Sequence, residues 1–170
     1  MGPIAGRGYD AAPAASAILA RMLISVAADE PTGIAQVLVA QLERRGHDTL
    51  RHGALADDER SDWAWAAEAA ARDVAVGRAQ QAVVCCWTGT GASIAANKVD
   101  SVRAALCLDA ETAAGARRWN DANALALSLR STSEAQLVEI LDAWFSGECS
   151  DDDADRENIA HLGEIERRRT

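Results

Sequence analysis

A chain of 170 residues is long enough for one domain with a well-filled core and too short for two of ordinary size. Apolar residues make up 49% of it and aromatic ones only 4%, so the core has to come from Ala, Val, Leu and Ile, a composition suited to helices packed on a buried parallel sheet. The net charge is −9 and Lys98 is the only lysine, so no basic stripe exists to displace counterions, which argues against a nucleic-acid partner.

Residues 1–21 are rich in Ala, Gly and Pro and are expected to form a disordered leader. Arg21 interrupts the apolar stretch from Ala14 to Ala28, and no basic segment leads into it, so it reads neither as a secretory signal nor as a membrane segment. From Met22 onward short apolar runs alternate with longer helical segments, the pattern of βα units on a parallel sheet. Leu23 to Ala28 is predicted as the first strand. Pro31 suits a first helical turn, and Ile34, Val37, Leu38 and Leu42 then recur at helical spacing up to a capping Gly46. His47 to His52 reads as a short strand near a sheet edge, followed by a charged loop from Asp57 to Asp62. An Ala-rich helix is predicted over Trp63 to Val76, and the most apolar strand over Gln81 to Cys86. A helix opens over Ser93 to Asn97, a fourth strand covers Val102 to Cys107, and Asp109 to Arg117 is helical. Ala124 to Leu129 is the fifth strand and Glu134 to Phe145 a further helix. Past a break at Cys149 to Asp153, the tail to Arg169 carries acids at its start and arginines at its end, which complements a helix dipole. The expected fold is α/β: a three-layer, Rossmann-like, doubly wound sheet of five parallel strands in residues 22–147, helices on both faces, and an extra C-terminal helix in 148–170.

Cys85 and Cys86 are adjacent, so on a strand their side chains point to opposite faces. With Cys107 and Cys149 they read as buried or catalytic thiols of a cytoplasmic protein rather than as two disulfides. Neither a CxxC pair nor a histidine cluster suggests a metal. His47, His52 and His161 are scattered and read as surface residues.

Ligands of an open parallel sheet bind beyond the carboxyl ends of its strands. Asp29 and Glu30, the run Cys86 to Ser93, and Arg130 gather there, with Asn120 and Asp121 just ahead of the fifth strand. Thr88-Gly89-Thr90-Gly91 follows a strand and opens a helix, where glycines turn tightly and freed amides can hold an anion or a developing oxyanion. Alone, such a loop reads equally well as a turn.

Three blocks together say more. Ser93-Ile94-Ala95-Ala96-Asn97-Lys98, Val102-Arg103-Ala104-Ala105-Leu106-Cys107 and Asn120-Asp121-Ala122-Asn123 resemble, in order and spacing, the ribose-5-phosphate and galactose-6-phosphate isomerase family, and the resemblance runs more weakly from Met22 to about Phe145. It implies an aldose–ketose isomerase that moves a proton between neighbouring carbons through a cis-enediolate, with no cofactor, and a homodimer or dimer of dimers whose sites are shared between subunits. By position it makes Cys86 the proton-abstracting base and Thr88 the hydroxyl that assists transfer to the substrate oxygens. The amides around Gly89, Gly91 and Ser93 become the oxyanion cradle, Asn120 and Asp29 substrate contacts, and Arg130 a phosphate-facing arginine. The chain also departs from the family pattern. Glu30 and Trp119 stand where histidines are typical, Asp62-Trp63-Ala64 stands for Asp-Tyr-Pro, and a gapless reading of the tail puts Ala154 and Asn158 in place of two arginines. The implied substrate is therefore a sugar or sugar phosphate other than the family's usual ones, with Trp63 and Trp119 lining its site. The other reading is a scaffold turned to a non-sugar ligand or to binding alone.

Overall fold

Five parallel strands, β1 (Leu23–Ala28), β2 (Asp48–Gly53), β3 (Gln81–Cys86), β4 (Ala104–Leu106) and β5 (Ala124–Ser128), stand in the order β2-β1-β3-β5-β4 in a computed structural model that describes residues 20–168. Between and after them run α1 (Ala35–Arg44), α2 (Trp63–Ala75), α3 (Thr90–Ala96), α4 (Ala110–Asn120), α5 (Glu134–Ser146) and α6 (Asp153–Arg167). This is the doubly wound α/β sheet that the alternation predicts. The leader over 1–21 lies outside the described residues up to position 19.

Side-chain alternation along the strands decides what each face holds. Ile24, Val26, Val83, Cys85, Leu125 and Leu127 face one layer, formed by α1, α4 and α5, and close a core that includes the buried Trp144. On the other face Ala27, Ala82, Val84, Cys86, Ala124 and Ala126 meet Ala66, Ala67, Ala70 and Ala71 of α2 and Ala92 and Ala96 of α3. Alanine on both sides of that seam lets the two helices sit close to the sheet, which brings the first turn of α3 down onto the end of β3.

Several boundaries differ from expectation for local reasons. α1 starts at Ala35, not near Pro31, because Gly33 takes a positive φ of 55° and its backbone abuts the Leu129 carbonyl. α3 starts at Thr90, three residues before Ser93, because Gly89 turns left-handed (φ 76°) and serves as the N-cap. α4 runs on to Asn120, ended by Asp121 at φ 44°, so Trp119 and Asn120 are helical rather than in a loop. The amide of Asp109's third successor, Thr112, is capped by the Asp109 side chain at 2.7 Å, and Ser133 with Gln136 forms a reciprocal capping box on α5. α6 buries none of its residues and touches the domain through α4.

Two histidine expectations and one cysteine expectation fail. His47 is buried, its ring 4.5 Å from that of Phe145, and burial lowers its pKa. His52 is held between two carboxylates with only 15% of its side chain exposed. Cys149 is exposed, whereas Cys85, Cys86 and Cys107 are buried free thiols.

Candidate active site

The chain leaves β1 for α1 on one face of the sheet and leaves β3 for α3 on the other, so the carboxyl ends of these neighbouring strands open a crevice at a topological switch point. Asp29 and Glu30 form its β1 side, and Trp87 to Gly91 its β3 side. The β5 side is fixed by a short ladder: Leu129 N–H donates to the Cys86 carbonyl at 3.0 Å, Arg130 N–H to the Trp87 carbonyl at 3.1 Å, and Ser128 Oγ to that same carbonyl at 2.9 Å.

Cys86 is the last residue of β3 and 4% exposed. Its Sγ accepts the Ala92 N–H at 3.4 Å, a donor in the first turn of α3. Cys85 points into the opposite, dry layer, and burial drives its pKa well above the ordinary thiol value. Burial likewise pushes the Cys107 thiol up to about 12. Only Cys86 combines a crevice position with a helix-terminal donor.

Gly89 cannot be replaced by a larger residue. A Cβ there would lie 2.5 Å from Leu106 Cδ1 and 2.9 Å from the Leu127 carbonyl carbon, and the left-handed φ adds strain. Its tight fit places the exposed Thr88 just past the end of β3, but of the expected amide cradle the Gly89 N–H turns back on the Cys86 carbonyl at 3.1 Å and the Ser93 N–H on the Gly89 carbonyl at 3.0 Å, as the turn and helix require. Over Gly91 lies the Trp63 ring, with Cε3 2.9 Å from where a Cβ would be built. Trp63 also lines a cavity of about 620 Å³ between α2 and α3, together with Ile94, Ala95 and Lys98. Asp29 is half-buried, with Oδ1 shut from water and unpartnered. Burial raises its pKa, against the opposing pull of the Trp87, Asp29 and Glu30 amides, and the Glu30 charge raises it further. An orphan carboxylate oxygen in a crevice is an acceptor waiting for a hydroxyl. Among the described residues, no three His, Cys, Asp or Glu side chains come together as a metal-binding group.

One chain therefore brings together Asp29, Glu30, Trp63, Cys86, Thr88, Gly89, Gly91, Ser93 and Arg130. It does not bring Trp119 or Asn120 to them. Those two end α4 at the amino edge of β5, across the sheet from the crevice. Asn120 lines a cavity of about 300 Å³ with Arg103, Leu162 and Ile165, and Trp119 folds back against Gly115. The sequence reading gave no role to Trp87, 54% exposed between Cys86 and Thr88, or to Ser128, which pairs with Cys86 in register and holds the Trp87 carbonyl. A hydroxyl at the end of an otherwise apolar strand was the available signal for Ser128.

Comparison with known proteins identifies the family and the fold. Residues 24–162 match the family model described as Ribose/Galactose Isomerase. The galactose-6-phosphate isomerase subunit LacB of Clostridium acetobutylicum is 31% identical over 145 residues, covering 85% of this chain and 83% of its own. Ribose-5-phosphate isomerase B of Escherichia coli is 35% identical over 111 residues, 65% of this chain and 74% of its own. Among solved structures, that of Clostridium thermocellum ribose-5-phosphate isomerase B superposes with a TM-score of 0.80 at 29% identity, covering 88% of this chain and all (100%) of that one. Ribose-5-phosphate isomerase B from Mycoplasma genitalium, solved with bound ribulose-5-phosphate, gives 0.75 at 26% identity, covering 85% of this chain and 96% of that one. With sequence and fold in agreement, the chain belongs to the ribose and galactose isomerase family.

Proposed function

We propose that this isomerase interconverts an aldose and a ketose, with Cys86 as the base and a weaker hold on phosphate than its relatives have. The observation that carries the proposal is the Cys86 sulfur, buried at the end of β3 beneath the crevice and hydrogen-bonded by the Ala92 amide. As thiolate, Cys86 takes the proton from the carbon next to the carbonyl; the C–H pair forms the enediolate double bond and the carbonyl pair moves onto oxygen. The Gly91 amide faces that oxyanion, since the Gly89 and Ser93 amides already donate to the Cys86 and Gly89 carbonyls, and the Thr88 hydroxyl passes a proton between the two oxygens. Cys86 then returns its proton to the neighbouring carbon. Asp29 Oδ1 accepts a substrate hydroxyl, Glu30 and Trp63 border the sugar, and Arg130 faces its far end.

Trp119 and Asn120 reach this crevice only from a second subunit, so the proposal includes a homodimer, or a dimer of dimers, in which one chain's α4 end completes the other's site. α6, with no buried residue and with Leu162 and Ile165 exposed, is the element we assign to packing on the partner. No described helix is long and apolar enough to cross a membrane, and the three buried free thiols suit a cytoplasmic enzyme. A scaffold without turnover is the second reading, favoured by Glu30 and Trp119 at positions where the family pattern has histidines. Solvent deuterium separates the two. A bound sugar or sugar phosphate should gain deuterium at the carbon next to its carbonyl, and a protein that binds such sugars without any exchange would sink the isomerase reading.

A further inference from the structure

The chain carries a buried charged array that the proposed chemistry does not use. Asp73 of α2 is wholly buried, and its Oδ2 accepts the Ser25 hydroxyl of β1 at 2.7 Å. The same oxygen lies 2.7 Å from Nε2 of His52 on β2, while Oδ1 stands 2.5 Å from the Arg78 guanidinium. The other ring nitrogen of His52 is 3.1 Å from Oε2 of Glu59, and that oxygen also accepts the Gly53 N–H at 3.1 Å. Glu59 belongs to the loop that feeds α2, so the array fastens both that loop and the far end of α2 to the sheet, from Ser25 in the middle of β1 up to His52 beside Ala27.

What it holds in place is Trp63. That residue opens α2 and lies over Gly91, yet it is 46% exposed and borders the open cavity between α2 and α3. Packing therefore leaves its ring room to move. The helix start does not fix it either, because Asp62, the N-cap, makes no side-chain cap bond and pairs with Arg60 instead. Arg60 also stacks on Trp65 at 3.4 Å, but these contacts stay within residues 60–65 and do not reach the sheet. The Glu59 carboxylate, bonded to both His52 and the Gly53 N–H, ties the loop ahead of this segment back to β2.

We propose that Ser25, Asp73, His52 and Glu59 form a latch that sets Trp63 over the Thr88–Gly91 loop, which makes His52 a positioning residue for the site. For its effect on turnover the inference rests on reading that loop as the substrate cradle; for the position of Trp63 it does not.

The test is 5-fluorotryptophan labelling of the full chain, the five resonances assigned by single Trp→Phe variants. Glu59→Ala cuts the latch at its exposed end and leaves Asp73 paired with Ser25, His52 and Arg78, so the fold is kept; His52→Ala cuts it at the centre. In both, the Trp63 resonance should shift and broaden while those of Trp87, Trp119 and Trp144 stay. In isomerisation of ribose 5-phosphate, each variant should lose roughly tenfold in kcat/KM, the scale of a misplaced site element. Neither should add to the loss in a Trp63→Ala background, whereas general destabilisation would add. A Trp63 resonance unmoved in both variants overturns the latch, and that readout holds even if the protein turns over no sugar.

Discussion

At the scale of single residues, two neighbours on one strand face opposite surroundings. Cys86→Ala should lower turnover by about 10²- to 10⁴-fold, the usual cost of losing a positioned base. Cys85→Ala should keep most of the activity and lose only packing, of the order of 1 kcal/mol. Equal losses in steady-state assays of the two would show that sulfur matters there only as filler. Asp29 invites a different trade. Its folded pKa is raised, so between the unfolded and folded values the folded state binds more protons and stability falls as pH rises; above both, an ionised and poorly solvated carboxylate is a standing cost. Asp29→Asn should therefore raise Tm at neutral pH, lessen its dependence on pH across the acid range, and reduce activity, all measurable by thermal melts and assays on one preparation. The sequence made the places of Cys86, Thr88 and Asp29 at strand ends legible, because they flank apolar runs in a recognisable order. It hid Trp87 and the His52 array, because the partners that give those residues meaning, Ser128 in one case and Glu59 and Asp73 in the other, come from separate elements.

Among the elements, the strands β1 and β3 could be read to the residue, since a buried parallel strand is an unbroken apolar run with polar flanks. Helix starts were harder. α3 begins where a left-handed glycine redirects the chain, and nothing in composition distinguishes Gly89 from the glycine two residues later until the walls around it are known. Gly89→Ala should destabilise the fold by more than 2 kcal/mol on the scale of left-handed strain plus overpacking (about 1–3 kcal/mol each), a loss read from urea midpoints. Gly91→Ala would press on the half-exposed Trp63 ring rather than on backbone, so it should fold and show its effect in substrate binding instead. Similar midpoints for the two would mean that the loop tolerates a wider turn than its surroundings suggest.

The whole molecule leaves apolar surface uncovered at Trp63, Trp87, Ile94, Leu108, Leu162 and Ile165. We expect a dimer by light scattering at micromolar concentration, and Leu162→Glu with Ile165→Glu should yield monomers that lose activity with dissociation; an active monomer would refute shared sites. Ribose 5-phosphate should be a poor substrate for the wild type. Ala154 and Asn158 are exposed on α6 and carry no charge, and Arg156 beside them is paired with Asp151. Each missing charge-assisted contact removes about 1.5–3 kcal/mol of phosphate binding. Trp119→His with Ala154→Arg and Asn158→Arg should raise kcat/KM for it, and a wild type already as efficient as its relatives would show that the phosphate is gripped elsewhere. One feature of the sheet bears on all of this. β3 is paired on both sides, Val84 with Ala27 of β1 and with Ala126 of β5. Sliding it by a single residue would carry Cys86 into the sealed layer and present Cys85 to the crevice. Under the proposed mechanism the identity of the reacting sulfur is thus a property of strand alignment, and a variant that loosened the pairing of β3 should lose activity while every residue of the proposed site was still present.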